Sequence, residues 1–156
     1  AKENNFEYKS FDEVIAGSDI ITLHAPYTKE NHHLINKENI SKMKKGVFII
    51  NTARGALIDT EALISGINDG IIAGAGLDVL EGERDLKIKK EIIDSNSSSQ
   101  VDYKTIVENH ILIDMPQIIV TPHIAFYSKE AEEAIIKTTV ENIKAFVSNS
   151  PINLLK

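Results

Sequence analysis

The sequence predicts an α/β fold, a parallel sheet with helices on both faces, and three observations carry that prediction. Short apolar runs, Ile20–His24, Val47–Ile50, Ile71–Val79 and Ile118–Thr121, alternate along the chain with segments of helical apolar spacing. The central run, Val47-Phe48-Ile49-Ile50, is continuous rather than alternating, which is the pattern of a strand buried on both faces. Helix-capping residues stand ahead of the helical segments, and glycine or proline closes most elements.

Taken in order, Ser10-Phe11-Asp12-Glu13 is a capping box, in which Ser10 bonds forward and Glu13 back. It opens a short helix through Val14, Ile15 and Ala16 that Gly17 ends. The first strand, Ile20–His24, halts at Ala25-Pro26, because proline cannot donate to a ladder. Asn36 caps a second helix predicted over Lys37–Lys45, with lysines at the end the dipole favours and Gly46 closing it. The central strand then runs into a polar corner, Asn51-Thr52-Ala53-Arg54-Gly55. Asp59 or Thr60 caps a third helix over Ala62, Leu63, Ile64 and Ile67, with Gly70 past its end. The third strand, Ile71–Val79, is lightened at Gly74 and Gly76. From Gly82 the pattern breaks, and residues 84–99, charged and then serine-rich, predict an exposed loop. A helix is predicted over Tyr103–His110 and a fourth strand over Ile118–Thr121, closed by Pro122. Ser128 caps a long final helix whose Ile136, Val140, Ile143 and Val147 keep helical spacing, with Pro151 just beyond.

Composition bounds the function. The 156 residues suffice for one domain with a real core, and 42% hydrophobic against 26% charged residues argues against disorder of the whole. A net charge of -6 without a basic stripe gives no nucleic-acid footprint. With no cysteine, thiol catalysis, Cys-ligated zinc and disulfides are excluded, and a reducing compartment fits. No apolar run approaches the roughly 18 residues of a membrane span, and from the polar start, Ala1-Lys2-Glu3-Asn4-Asn5, no signal peptide is expected ahead of the first structured segment. A soluble, cytoplasmic chain is expected.

Three strand ends carry chemical groups: Arg54 after the central strand, Asp78, Glu81 and Glu83 after the third, His123 after the fourth. In a parallel sheet such ends share one edge, where ligands of open α/β folds bind. Each residue also has a bland reading: Arg54 as a solvated arginine, Glu83 as part of a charge run, Asp78 as a turn cap, His123 as a hydrogen-bonded strand-end histidine. His32 and His33 are expected to be exposed loop residues without a role, His24 to be structural and His110 to lie on the surface. In combination the groups suit one task. Arginine grips a carboxylate with two bonds, histidine can give or take a proton, and a glutamate beside it favours the imidazolium. That set describes interconversion of a 2-hydroxy acid and a 2-keto acid, with the hydride passing to or from a cofactor, because no side chain accepts one. A metal hydrolase using His123, Glu83 and Asp78 would need a ligand spacing such as H-E-x-x-H, which does not occur, so no metal is expected.

Four ordered segments, Ser18–Pro26 (SDIITLHAP), Met43–Asp59 (MKKGVFIINTARGALID), Gly74–Glu83 (GAGLDVLEGE) and Val120–Ser128 (VTPHIAFYS), make the chain resemble the NAD-binding portion of the D-isomer-specific 2-hydroxyacid dehydrogenases. The resemblance runs from about Tyr8 to Val147, and within the family Ala125-Phe126-Tyr127 is similar to the D-lactate dehydrogenases and the vancomycin-resistance dehydrogenases. It implies Arg54 as substrate clamp, His123 as acid/base and Glu83 as its partner. It implies further that Ala25, Pro26, Asn31, Thr52, Ala53, Arg54 and Asp78 line the NAD site, with Asp78 near the nicotinamide carboxamide. The implied fold is a partial Rossmann-type doubly wound parallel sheet lacking the first two strands and the glycine-rich loop. The G-x-G-x-x-G motif and the ribose-binding acid are absent, and Gly74-Ala75-Gly76 is a decoy inside a strand. The chain is therefore expected to be a piece of a longer, homodimeric dehydrogenase and not to be active alone. Residues 1–147 would form the NAD-binding part and 148–156 a tail toward the catalytic domain. D-lactate and pyruvate are the expected substrate pair. The alternatives are a 2-hydroxyisocaproate or phosphoglycerate type of dehydrogenase, or a non-catalytic dinucleotide-responsive module.

Overall fold

The structure is a computed structural model, and it describes residues 6–83 and 103–154. The loop expected over 84–99 lies outside them. The chain divides into two compact units, Ala1–Pro122 and His123–Lys156.

In the first unit the capping box forms as expected. The Ser10 hydroxyl oxygen accepts from the Glu13 amide and the Glu13 carboxylate accepts from the Ser10 amide, opening α1 (Phe11–Gly17). The strands β1 (Ile20–Leu23), β2 (Val47–Asn51), β3 (Ile72–Leu77) and β4 (Ile118–Val120) form one sheet in the order β1-β2-β3-β4. Every pairing is parallel, with Leu23 beside Asn51, Asn51 beside Leu77 and Leu77 beside Val120. The carboxyl ends of all four strands are thereby level. Gly74 and Gly76 do lie inside a strand.

The helices α2 (Lys37–Ile40), α3 (Thr60–Asn68) and α4 (Tyr103–Asp114) supply Ile40, Leu63, Ile67 and Leu112 to a core shared with Ile15, Ile21, Ile49 and Ala75. Gly66 lets α3 approach the sheet: a Cβ there would stand 2.8 Å from the Ile72 side chain and 2.9 Å from that of Ile40.

Three expectations change. β2 is not buried throughout: Val47, Ile49 and Asn51 face the core while Phe48 stays 49% exposed. The apolar run is continuous, but a strand turns successive side chains to opposite faces, and the helical core covers the face of Ile49. The second helix is four residues, not nine. Asn36 caps it by accepting from the Glu38 and Asn39 amides, but beyond Ile40 the amides of Lys42 and Met43 reach back only three residues. The tighter turns place Met43 in the core, and Gly46 completes the reversal at φ 88°. The helix expected to end at His110 continues to Asp114, because Leu112, two residues on, is buried in the core.

The second unit begins with His123 at φ 58° and is dominated by α5 (Lys129–Val147), capped by Ser128, whose hydroxyl accepts from the Ala131 amide. No residue of α5 is buried. No helix among the described residues is long and apolar enough to cross a membrane.

Candidate functional site

At the level carboxyl edge of the sheet, β1 delivers Ala25 and Pro26, β2 delivers Thr52, Ala53 and Arg54, and β3 delivers Asp78. Each group has a local reason for its place. Asn31 folds back over the end of β1, its Nδ2 donating to the Pro26 carbonyl at 2.8 Å and its Oδ1 accepting from the Thr28 amide at 2.7 Å. Asn31 thus shapes the loop that carries Pro26.

Asn51, only 1% exposed, pins the corner after β2: Nδ2 donates to the Arg54 carbonyl at 2.9 Å and Oδ1 accepts from the Ala53 amide at 3.0 Å. A buried amide with both ends bonded fixes four residues of backbone. Arg54 is exposed, with extended backbone and Nη1 on the Ala53 carbonyl at 2.6 Å. Sequence reasoning did not single out Asn51; a polar residue closing a buried strand was the available signal.

Asp78 is 4% exposed. Its amide donates to the Asn51 carbonyl at 2.9 Å and its Oδ1 accepts from the Thr121 hydroxyl at 2.5 Å. The bond to Thr121 joins the end of β3 to the residue that follows β4. Thr121 was not singled out either.

The turn after β3 departs most from expectation. Glu81 is not part of a solvated charge run. Its Oε1 accepts from His33 Nε2 at 2.6 Å and its Oε2 from the Thr60 hydroxyl at 3.1 Å, while its carbonyl accepts from Asn109 Nδ2 at 2.8 Å. A carboxylate only accepts, so His33 Nε2 carries the proton. His33 is accordingly not a roleless exposed loop residue, although His32 is exposed. His33 Nδ1 lies 3.8 Å from Asp59 Oδ2. The backbone takes His33 there: its amide donates to the Ala56 carbonyl and its φ is 52°. Gly55 lets the two corners touch, since a Cβ would fall 2.1 Å from the Leu80 carbonyl group. Two residues past Glu81, half-buried Glu83 follows Gly82, which turns at φ 63°.

His32, His33 and Glu81 offer ligand atoms within 4.8 Å of one another. The two rings stack at 3.8 Å and 25°, so their in-plane lone pairs run side by side instead of converging. Glu81 already takes the His33 proton donor. The arrangement is a hydrogen-bonded knot, not a tetrahedral donor set. His123 opens the second unit, half-buried. Exposed His24 contacts the Thr22 hydroxyl, and His110 is exposed as expected.

Comparison with known proteins agrees with this geometry. Residues 1–125 match the family model described as D-isomer specific 2-hydroxyacid dehydrogenase, NAD binding domain. An aromatic 2-oxoacid reductase of Clostridium sporogenes is 47% identical over 140 residues, which are 90% of this chain and 40% of that protein. A D-lactate dehydrogenase of Treponema pallidum is 40% identical over 144 residues, 92% of this chain and 41% of the relative. Among solved structures, the D-lactate dehydrogenase of Aquifex aeolicus complexed with NAD and lactic acid superposes with a TM-score of 0.78. It is 43% identical, over 96% of this chain and 43% of that one. The chain thus spans about two fifths of the length of the curated relatives it matches. With the family model, the relatives and the solved structures in agreement, the chain belongs to the D-isomer-specific 2-hydroxyacid dehydrogenase family, through that family's NAD-binding domain.

Proposed function

We propose that the complete protein is an NAD-dependent D-2-hydroxyacid dehydrogenase, interconverting D-lactate and pyruvate, and that this chain supplies its clamp, acid/base and nicotinamide-facing groups. The observation that carries the reading is the level edge of the sheet, where the Arg54 corner and the turn of Asp78 and Glu83 emerge from adjacent strands.

The edge suits the cofactor. Ala25, Pro26, Thr52 and Ala53 are small and uncharged, a bed for a flat ring, and the buried Asp78 carboxylate is an acceptor for a carboxamide N–H. Asn31 shapes the loop that carries Pro26. NAD, when bound, supplies the hydride donor or acceptor that side chains lack. The remaining work belongs to the chain. Arg54 holds the substrate carboxylate through its two-pronged guanidinium. His123 gives its proton to the carbonyl oxygen as the keto acid is reduced, and removes it from the hydroxyl in the reverse direction. Glu83 favours the charged imidazole for the reductive step.

In this reading the NAD-binding part runs to residue 147, and 148–156 lead toward the catalytic domain of a homodimeric cytoplasmic enzyme. A second substrate reading, an aromatic 2-oxo acid, is favoured by the 47% identity to the aromatic 2-oxoacid reductase. The kcat/KM ratio for pyruvate and phenylpyruvate in the full-length enzyme distinguishes them. The test of the chemistry is His123→Gln in the full-length enzyme. Reduction is expected to fall at least about 10²-fold, the low end for general acid catalysis, with NADH binding nearly intact. Unchanged reduction would remove His123 from the acid role.

A further inference from the structure

We propose that His33, Glu81 and Thr60 form a positioning device for Glu83, and through it for the proton-carrying step; the proposal rests on the role given above to Glu83. Glu81 is the centre of the device. Both oxygens of its carboxylate are occupied, by His33 Nε2 at 2.6 Å and the Thr60 hydroxyl at 3.1 Å, and its carbonyl is held by Asn109 at 2.8 Å. Its amide lies against Gly55, beside the corner that carries Arg54. One residue thereby ties four segments to the turn that ends in Glu83: the loop before α2, the start of α3, α4 and the corner after β2.

The chemistry of these bonds suits positioning. A carboxylate with both oxygens bonded to fixed donors has no freedom to rotate, and each bond to an ionised acceptor is stronger than a neutral one. Glu81 lies two residues from Glu83 and the Glu83 amide turns back to the Leu80 carbonyl at 3.3 Å, so a fixed Glu81 fixes the backbone from which Glu83 extends. The donors are themselves fixed. His33 is held by its amide on Ala56 and faces Glu81, Asp59 and His32, and Thr60 opens α3 directly after the Asp59 cap. Supporting groups of this kind hold an active constellation to its productive geometry.

The test is a double-mutant cycle in the full-length enzyme, read from the pH profile of keto-acid reduction with pyruvate and NADH. His33→Asn suits the left-handed backbone at this position, since asparagine tolerates φ near 52°, yet it cannot span the distance to Glu81. On the role given above to Glu83, Glu83→Gln is expected to move the falling limb to lower pH, the sign that follows from removing a negative charge that favours the imidazolium. His33→Asn is expected to move that limb the same way by a smaller amount, and to lower kcat about tenfold, less than the roughly 10²-fold that a 1 Å misplacement can cost. The double variant is expected to match Glu83→Gln alone, because the two act on one group. Glu81→Gln, which keeps side-chain length and the bond from Thr60, repeats the measurement should His33→Asn fold poorly. A wild-type profile in both His33→Asn and Glu81→Gln, or full additivity in the double variant, would overturn the positioning role. An unmoved profile in Glu83→Gln itself would instead overturn the role of Glu83 and, with it, the device.

Discussion

The helices α3 and α5 begin alike and end differently. Each is capped by a side-chain oxygen, Asp59 accepting from the Ala62 amide and Ser128 from the Ala131 amide. Each carries apolar residues at helical spacing. In α3, Thr60, Ala62, Leu63, Gly66 and Ile67 are buried, while α5, nineteen residues long, buries none and leaves Ile143 59% exposed. Local chemistry decides that a helix forms and where its apolar stripe lies. Burial is decided by whether a complementary surface stands opposite, and α3 has one because Gly66 admits Ile72 and Ile40 to close range. Candidate site groups divide in the same way: Arg54, Asp78 and Glu83 belong to the packed unit, His123 to the unit of α5.

The contrast breaks most severely at the core. Ile49 is 0% exposed at the centre of β2, and Ile49→Ala is expected to cost about 2–5 kcal/mol, as methyl groups leave a cavity the sheet cannot close. Urea unfolding of this chain reads that loss directly. A loss under about 1 kcal/mol would mean that the core tolerates collapse at this point.

Next in size is Arg54→Lys in the full-length enzyme. Asn51 holds the corner through backbone atoms, so the substitution leaves the fold alone and removes only the planar fork. The expected loss in kcat/KM for 2-keto acids is about 2 kcal/mol, the scale of a charged hydrogen bond. Steady-state kinetics with pyruvate check it, and wild-type constants would take Arg54 out of the clamp.

Ile143→Ala sharpens the comparison from the other side. With its side chain largely in water, the change is expected to shift the stability of this chain by no more than about 0.5 kcal/mol. A loss equal to that of Ile49→Ala would show that the stripe of α5 is covered in solution.

The smallest effect is at α1. The Ser10 side chain and backbone bonds hold the Glu13 carboxyl below its ordinary value of 4.5. A group held low in the folded chain contributes stability above its unfolded value and loses it as pH falls through the folded one. The protection of the α1 amides, taken relative to their intrinsic exchange rate at each pH, should therefore fall on acidification below about pH 4.5, and Ser10→Ala, which removes the side-chain bond and keeps the backbone one, should weaken that dependence. Pulse-labelled exchange across that range is the measurement, and a pH-independent protection factor in the unmodified chain would dismiss the effect.

The sequence by itself determined what nearest neighbours decide. Ser10 with Glu13, Asn36, Asp59 and Ser128 cap helices where their side chains meet amides two or three residues on, and the four apolar runs become four strands. The places of Arg54, Asp78 and His123 just beyond strands were legible because the apolar runs ahead of them set where the strands end. Tertiary structure alone decided the rest. Whether β2 is covered on one face or two, where α2 tightens and how far α4 continues depend on what packs opposite. The clearest case is Glu81, which reads as a solvated charge beside Gly82 and Glu83 in the chain. His33, Thr60 and Asn109 are 48, 21 and 28 residues away along the sequence, and no periodicity or spacing encodes a hydrogen bond across such separations. Only the parallel crossovers, which return each strand end to the same edge, bring those partners to one carboxylate.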